Sequence, residues 1–358
     1  MSTPKVSIIM PSLNVVAYIR ECIESAINQT LKDIEIICVD AGSTDGTAEI
    51  LQEYAAKDSR IRFIHSDVRS YGYQMNLGLD AATGKYICIL ETDDFVIRDS
   101  YEILYTAAEQ FGADIVRSDY FDLTTKNGRI NLVTKQISQD FSYYYRLICP
   151  NKEKEVYSFV MHNWTGIYNK EFLDKYHIRY NETPGASYQD NGFYFQVFSQ
   201  TNKLVYIPRP CYCYRIDNPG SSIHDKSKVY TMSEEYAFIR NFLANHPDFE
   251  QEVLPAFYSR LFRAHYQTYV RIQPEFKPEY CELMRKDMIE ARDLHLLDTG
   301  LFLPRERELL VYLLKSTDTF MLVTSKGGLK KSFYLMRRMI STNGILSFIK
   351  FFKKKMKL

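Results

Sequence analysis

The sequence predicts an α/β protein whose mostly parallel central sheet carries helices on both faces, followed by a helical C-terminal region. Three observations predict it. Short apolar runs alternate with amphipathic stretches over the first 120 residues. Each run ends in a polar, loop-forming cluster. From about residue 226 to 324 the apolar spacing is helical throughout. Strands alternating with helices imply right-handed crossovers, hence parallel neighbours.

The elements follow in order. Residues 6–10 (VSIIM) form an unbroken apolar run, as a strand buried on both faces requires. Loop residues Pro11, Ser12 and Asn14 come next, and Ile19, Cys22, Ile23, Ala26 and Ile27 then recur at helical spacing. Residues 34–39 (IEIICV) are the second strand, ending at Asp40. The turn AGSTDG, which holds Gly42, offers Ser43 or Asp45 as a cap for a helix from about Thr47, with Ile50, Leu51 and Tyr54 inward. A short strand over 62–65, a helix over 72–82 and a strand over 86–90 continue the alternation. A helix through Ile103 and Leu104 then leads to a weaker strand at 114–117. Later, 204–208 (LVYIP) reads as a strand. Leu254, Phe257, Tyr258, Leu261, Phe262 and His265 fit one helix, and Leu309 to Leu314 another.

Composition excludes several classes. With 46% apolar and 25% charged residues the chain is globular, not disordered. A net charge of +1 is far below that of a general nucleic-acid binder. No apolar run approaches the ~20 residues of a membrane span. Seven cysteines without framework spacing, and no leader-like start, point to a reducing, cytoplasmic setting. The near-neutral total hides an asymmetry: residues 325–358 hold ten Lys or Arg and no acid, leaving 35 basic against 44 acidic residues elsewhere. The end of this tail, GILSFIKFFKKKMKL from Gly344, interleaves Ile345, Leu346, Phe348, Ile349, Phe351 and Phe352 with lysines. Such a segment suits the surface of an anionic membrane; a solvated basic end, or a helix docked on its own domain, is the plainer alternative.

In open parallel sheets, ligands sit beyond the carboxyl ends of the strands. Three polar clusters fall there: 11–14, 40–45 and 91–94. Neither GxGxxG nor GxxxxGK[ST] occurs, which argues against dinucleotide-binding and P-loop enzymes. The sharpest signal is Glu91-Thr92-Asp93-Asp94, three carboxylates in four residues at a strand end. Two unit charges ~4 Å apart repel by about 4 kcal/mol at an effective dielectric of about 20. Solvation or a cation must relieve this, and all-oxygen ligands favour Mg²⁺ or Mn²⁺. Alternatively, Asp93 and Asp94 cap the next helix.

Taken in order and spacing, VSIIMPSLN, IEIICVDAGSTDGT and ATGKYICILETDDF resemble family 2 glycosyltransferases of the GT-A fold, typically inverting enzymes of bacterial polysaccharide synthesis. The likeness is strong over residues 5–120 and weaker to about 225. It implies that Asp40 contacts the nucleotide base or ribose, with Pro11, Ser12, Asn14 and Gly42 lining the same pocket. Glu91-Thr92-Asp93 stands where the family has Asp-x-Asp, with Glu91 replacing the first Asp and Asp93 the favoured metal ligand. Gly72 and Asn76 align with the family's usual Gly and Asn, and Arg69 is a candidate to reach the nucleotide. Tight helix–sheet packing is the other reading of Gly72.

The same resemblance covers the acceptor side. Trp164 to Phe172 matches a Trp-x-x-hydrophobic-Tyr-x-Lys-x-Phe segment, and Trp164 and Asp94 stand as candidate acceptor contacts. Gln189-Asp190 lies where the family places Glu-Asp, which makes Asp190 the candidate base. A base on the attack face takes the proton of the acceptor hydroxyl as the bond forms, worth about 10²–10⁴ in rate. A helix cap is the alternative for Asp190. Arg215, Ser221 and Ser222 fall in a loop expected to close over the diphosphate. His224 is a possible third metal ligand, although a lone His is more often structural.

The expected protein is therefore a metal-dependent inverting transferase using Mn²⁺ or Mg²⁺. Residues 1–225 form the catalytic domain, with 1–120 for the donor and 121–225 for the acceptor. Residues 226–358 form the helical region, and 325–358 its basic tail. The expected partners are a nucleoside-diphosphate sugar (UDP-sugar favoured), a glycan or lipid-linked acceptor, the inner face of a membrane, and a second copy in a homo-oligomer; nucleic acid is not among them. A nucleotidyltransferase and a non-catalytic sugar-nucleotide-binding protein are the alternatives. Against the first, no Gly-rich basic loop follows the first strand.

Overall fold

The protein is described from a computed structural model that covers residues 3–220 and 228–325. Ser221, Ser222, His224 and the tail beyond Ser325, for which the sequence raises expectations, lie outside the described residues. The chain divides into two compact units, residues 1–256 and 257–358.

The first unit is built on a nine-stranded sheet. Its strands are β1 (Val6–Ser12), β2 (Ile34–Asp40), β3 (Ile61–His65), β4 (Tyr86–Ile89), β5 (Phe95–Val96), β6 (Ile115–Lys126), β7 (Arg129–Lys135), β8 (Gly166–Asn169) and β9 (Leu204–Arg215). They run in the order β3-β2-β1-β4-β8-β6-β9-β5, and β7 pairs with β6. β1 is parallel to both β2 and β4, and β2 to β3. Every residue of β1 is buried, which explains its unbroken apolar run. From β1 the chain steps outward to β2 and β3, then returns to place β4 on the other side of β1. The switch point lies between β1 and β4, and in open parallel sheets ligands bind beyond the carboxyl ends at such a point.

The sheet is less uniform than expected. β8 is antiparallel to both β4 and β6. With only four residues it is too short to show a period. β5 and β7 also pair antiparallel, with β9 and β6. The strand expected at 114–117 continues to Lys126, and that expected at 204–208 to Arg215. Pro208 and Pro210 are tolerated within β9 because its register against β6 jumps from Ser118↔Ile207 to Tyr120↔Tyr212, so the prolines fall where no ladder bond is needed.

Helices cover the sheet. α1 (Ile19–Ile27) turns Ile19, Cys22, Ile23 and Ala26 inward. α2 (Thr47–Lys57), α3 (Tyr71–Ala81) and α4 (Ser100–Phe111) match the expected amphipathic stretches. On the acceptor half, α5 (Lys170–Lys175) and α6 (Gln189–Gln200) follow. α7 (Thr231–Ala244) packs on α6. The division between the units falls within α8 (Pro247–Arg271).

In the second unit, the rest of α8 is joined by α9 (Lys277–Asp293), α10 (Pro304–Lys315) and α11 (Thr317–Thr324). Phe257, Tyr258, Leu261 and Phe262 are buried, as their spacing predicts. His265 is fully buried between Tyr280 Oη (3.0 Å) and Asp287 Oδ2 (2.8 Å). Arg263 forks onto Glu306. No helix among the described residues is long and apolar enough to cross a membrane.

Candidate functional site

The strand ends bring three loops to one edge. Ser12 pairs with Asp40, and Asp40 with His65, at the ends of β1, β2 and β3. The fully buried Asp40 carboxylate accepts the Gly42 and Ser43 amides (3.0 and 2.9 Å) and the Ser43 hydroxyl (2.5 Å). Asp40 thereby shapes its own turn. Asn14, with a left-handed φ of 54°, donates its amide to Ser43 Oγ and accepts the Thr44 amide on Oδ1. Asp45, not Ser43, receives the Thr47 amide at the start of α2. Arg69 reaches across to the Gly42 carbonyl at 3.3 Å. Pro11 offers its carbonyl to Thr92 Oγ1 (2.8 Å), tying this edge to the acidic turn. Ser12 Oγ is buried with no hydrogen-bond partner among the described residues.

The acidic turn after β4 holds three carboxyl groups in different states. Glu91 accepts the Tyr71 hydroxyl at 2.6 Å. Burial pushes its carboxyl up to about 8, and the nearby Asp93 and Asp190 add to the rise against the opposing Tyr71 bond. Asp94 is 1% exposed; its two oxygens take the Arg215 amide (2.6 Å) and the Tyr212 hydroxyl (2.8 Å). Burial, with the neighbouring Asp93, holds its carboxyl well above the usual range. Both oxygens of Asp94, expected at the acceptor, are thus engaged by protein donors. Neither Asp93 nor Asp94 caps a helix: β5 follows, and α4 starts only at Ser100.

Asp93 is the open member. Asn218 Nδ2 donates to its Oδ2 at 2.7 Å, and Oδ1 takes no hydrogen bond from a described residue. No group of three His, Cys, Asp or Glu among the described residues is arranged to hold a metal ion. One free carboxylate oxygen nevertheless suits Mg²⁺ or Mn²⁺, which usually bind through one or two carboxylates and complete their shell with water and substrate phosphates. Asp93 thus fits a cation that a diphosphate helps to hold, whereas Glu91, half-buried and held by Tyr71, fits less well.

Arg215 is spent inside the protein. Its Nε donates to the Asp93 carbonyl (2.9 Å), one guanidinium nitrogen to Glu21 (2.6 Å), and the group lies over the Tyr18 ring at 4.8 Å. At 7% exposure it clamps the acidic turn to α1.

On the other side, Asp190 occupies the first turn of α6, where the helix dipole favours an acid. It is a helix residue, not the cap; Tyr188 holds that position. Gln189, 1% exposed, stitches the preceding loop: Oε1 accepts the Ser187 amide, and Nε2 donates to Thr183 Oγ1 at 3.0 Å. Asn76 is committed likewise. Its Nδ2 donates to the Tyr180 carbonyl and Glu182 Oε1, and its Oδ1 accepts the Tyr180 amide. Asn76, expected at the nucleotide, thus latches α3 to the 180–182 segment. Gly72 serves the same latch: a Cβ there would lie 1.8 Å from the Asn181 carbonyl oxygen. The close approach is to the 181–182 segment, not to the sheet. Trp164 is 7% exposed and stacks on Tyr212 and Tyr214 with centroids at 4.3 and 5.0 Å.

Asp93 and Asp190 lie near enough for their charges to raise Glu91, so this one site draws on residues about a hundred positions apart in sequence. Several residues that build it went unread in the sequence. Asn163 donates to the hydroxyls of Tyr71 and Tyr180 (both 2.9 Å), Asn218 holds Asp93, and Glu235 sits behind α6. None belongs to a motif; only the polarity of Asn163 beside Trp164 hinted at a buried network.

Comparison with known proteins bears on what this crevice is. Residues 7–179 match the family described as Glycosyl transferase family 2. The chain is 31% identical to the uncharacterized glycosyltransferase EpsJ of Bacillus subtilis, over 61% of this chain and 62% of that protein. It is 28% identical to glycosyltransferase GlyA of Streptococcus pneumoniae, over 66% of this chain and 33% of GlyA. The match thus spans less than two thirds of either relative. Among solved structures, S. aureus TarS 1-349 in complex with UDP-GlcNAc superposes with a TM-score of 0.67 at 18% identity, covering 89% of this chain and 90% of that one. That likeness establishes a shared fold.

Proposed function

Because residues 7–179 match the family described as Glycosyl transferase family 2, we propose that this chain moves a sugar from a nucleoside-diphosphate donor to a hydroxyl of a glycan or lipid-linked acceptor, inverting the anomeric centre. A UDP-sugar is the favoured donor, since the TarS fold neighbour binds UDP-GlcNAc. Cell-surface polysaccharide synthesis is the setting that suits such a chain. The observation that carries the reading is Asp93, an open carboxylate in the turn after β4 that Thr92 ties to the carboxyl end of β1.

The residues divide the work. The knitted loops at 11–14 and 40–45, with Arg69 over Gly42, form the wall against which a nucleoside would lie. Asp93 would hold Mn²⁺ or Mg²⁺, whose charge offsets that developing on the leaving diphosphate. Asp190 accepts the proton of the acceptor hydroxyl as it attacks. Glu91, clasped by Tyr71, braces the turn that presents Asp93. Trp164 backs the acceptor side through its aromatic stack. His224 and Ser222 remain candidates for the cation and the diphosphate.

The test measures donor hydrolysis and sugar transfer with UDP-, GDP- and dTDP-sugars in the presence and absence of Mn²⁺. Asp190→Asn should keep UDP affinity within about threefold while transfer falls by about 10²-fold or more. Asp93→Ala should remove the metal-dependent part of donor binding. Retained transfer in Asp190→Asn dismisses it as the base. Release of a nucleoside monophosphate to the acceptor would mark a nucleotidyltransferase instead.

A further inference from the structure

Glu235 lies in α7, in a region where the sequence offers no chemical motif, yet it is 1% exposed and carries a carboxyl group. Burying such a group is costly unless it is hydrogen-bonded and paired or neutralised. Its Oε2 accepts the Asn181 side-chain amide at 2.9 Å. Its Oε1 rests against Gly192 in α6: the Gly192 amide eases the burial without hydrogen-bond geometry. A Cβ at residue 192 would lie 2.0 Å from Oε1 and 3.1 Å from the Phe238 ring, so glycine is what admits the carboxyl. Asn181 in turn is pressed against Gly72, and its neighbour Tyr180 is gripped by Asn76. Glu235 therefore stands where the donor-side helix α3, the 180–182 segment and the first turn of α6 meet. Asp190, in that first turn, is close enough for its charge to be felt at Glu235.

We propose that Glu235 is a positioning residue for Asp190, locking the first turn of α6 to the 180–182 segment so that the carboxylate keeps its aim at the acceptor hydroxyl. This rests on the reading of Asp190 as the base. A neutral carboxyl performs the task best. Its Oε2 accepts the Asn181 amide while a protonated Oε1 sets no second full charge beside Asp190, and burial, which pushes Glu235 up to about 8, keeps it largely protonated at neutral pH. Glutamine has the same shape and no charge, and it should serve nearly as well.

The experiment uses the full chain and a UDP-sugar with Mn²⁺, with water or a sugar acceptor as the second substrate. It reads kcat and donor KM separately, UDP binding by calorimetry, and folding by circular dichroism. Glu235→Ala should lower kcat by about 10–100-fold while donor KM and UDP affinity stay within about threefold, as expected of a misaimed group. Glu235→Gln should restore kcat to within about threefold of the parent. Gly192→Ala, which expels the carboxyl from the other side, should reproduce the alanine phenotype, and Asn181→Ala should do so in part. If Glu235→Ala does not fold, Gly192→Ala and Asn181→Ala carry the same criteria. An unchanged kcat in the folded variants, or a loss that glutamine does not rescue, overturns the proposal. If Asp190→Asn abolishes turnover while these variants keep it, the positioning role alone fails; if Asp190→Asn stays active, the base assignment fails and takes this role with it.

Discussion

Glu91 and Glu235 are both carboxyl groups taken out of water, and burial pushes each up to about 8. The native protein thus keeps protons that the unfolded chain has released above an ordinary glutamate value of 4.5. Between roughly pH 5 and 8 the native state binds more protons than the unfolded one, so stability falls as pH rises and levels off once both states are ionised. The acids held low by basic partners, such as Asp58 beside Arg60 and Glu153 beside Arg146, act in the opposite sense but below this window. Melting curves from pH 5 to 8 should show a declining melting temperature, and Glu235→Gln should flatten the decline. Equal slopes in parent and variant would mean that Glu235 is already ionised near pH 5.

At the scale of elements, α3 is the hinge pin between donor and acceptor halves. Ser70 caps it through the Tyr73 amide and also bridges to Gly185. Gly72 and Asn76, one turn apart, then fasten the 180–182 segment along its face. Packing this close requires glycine at 72. Gly72→Ala should force α3 away from the segment, because the obstacle is a backbone carbonyl and not a flexible side-chain end. The expected cost is about 1–3 kcal/mol, read as a lower urea midpoint with unchanged m-value. A midpoint equal to the parent's would show that the segment yields freely. Asp190 follows this segment in the chain, so turnover should suffer along with stability.

At the scale of the molecule, the crevice lies wholly within the first unit, and the family match ends at residue 179. The remaining length includes the basic stretch from Gly344, whose lysines alternate with large apolar residues. We propose that it holds the protein on an anionic bilayer; each lysine near such a surface contributes about 1 kcal/mol, so the attachment is reversible and salt-sensitive. Deleting residues 344–358 should reduce co-sedimentation with vesicles of phosphatidylglycerol and phosphatidylcholine by at least about tenfold, while hydrolysis of UDP-sugar in solution persists. Unchanged sedimentation would reject the tail as the anchor.

The parallel core was legible because β1, β2 and β4 are buried almost throughout and carry their period and punctuation locally: VSIIM before Pro11, IEIICV before Asp40, YICIL before Glu91. The positions of the polar clusters at strand ends followed from the same local signals. Local sequence does not encode which donors each carboxyl meets. Asp93 and Asp94 are adjacent and chemically identical, yet one keeps an open oxygen and the other is sealed by Tyr212 and Arg215, residues more than a hundred positions away. Arg215, Asn76 and Glu235 likewise take their tasks from partners brought by the fold. The sequence alone determined the strand–helix alternation and the candidate chemistry, because periodicity and residue type are properties of short stretches. Only tertiary structure decided which acid is buried, which is held and which is free, because burial and hydrogen bonding are properties of distant segments packed together.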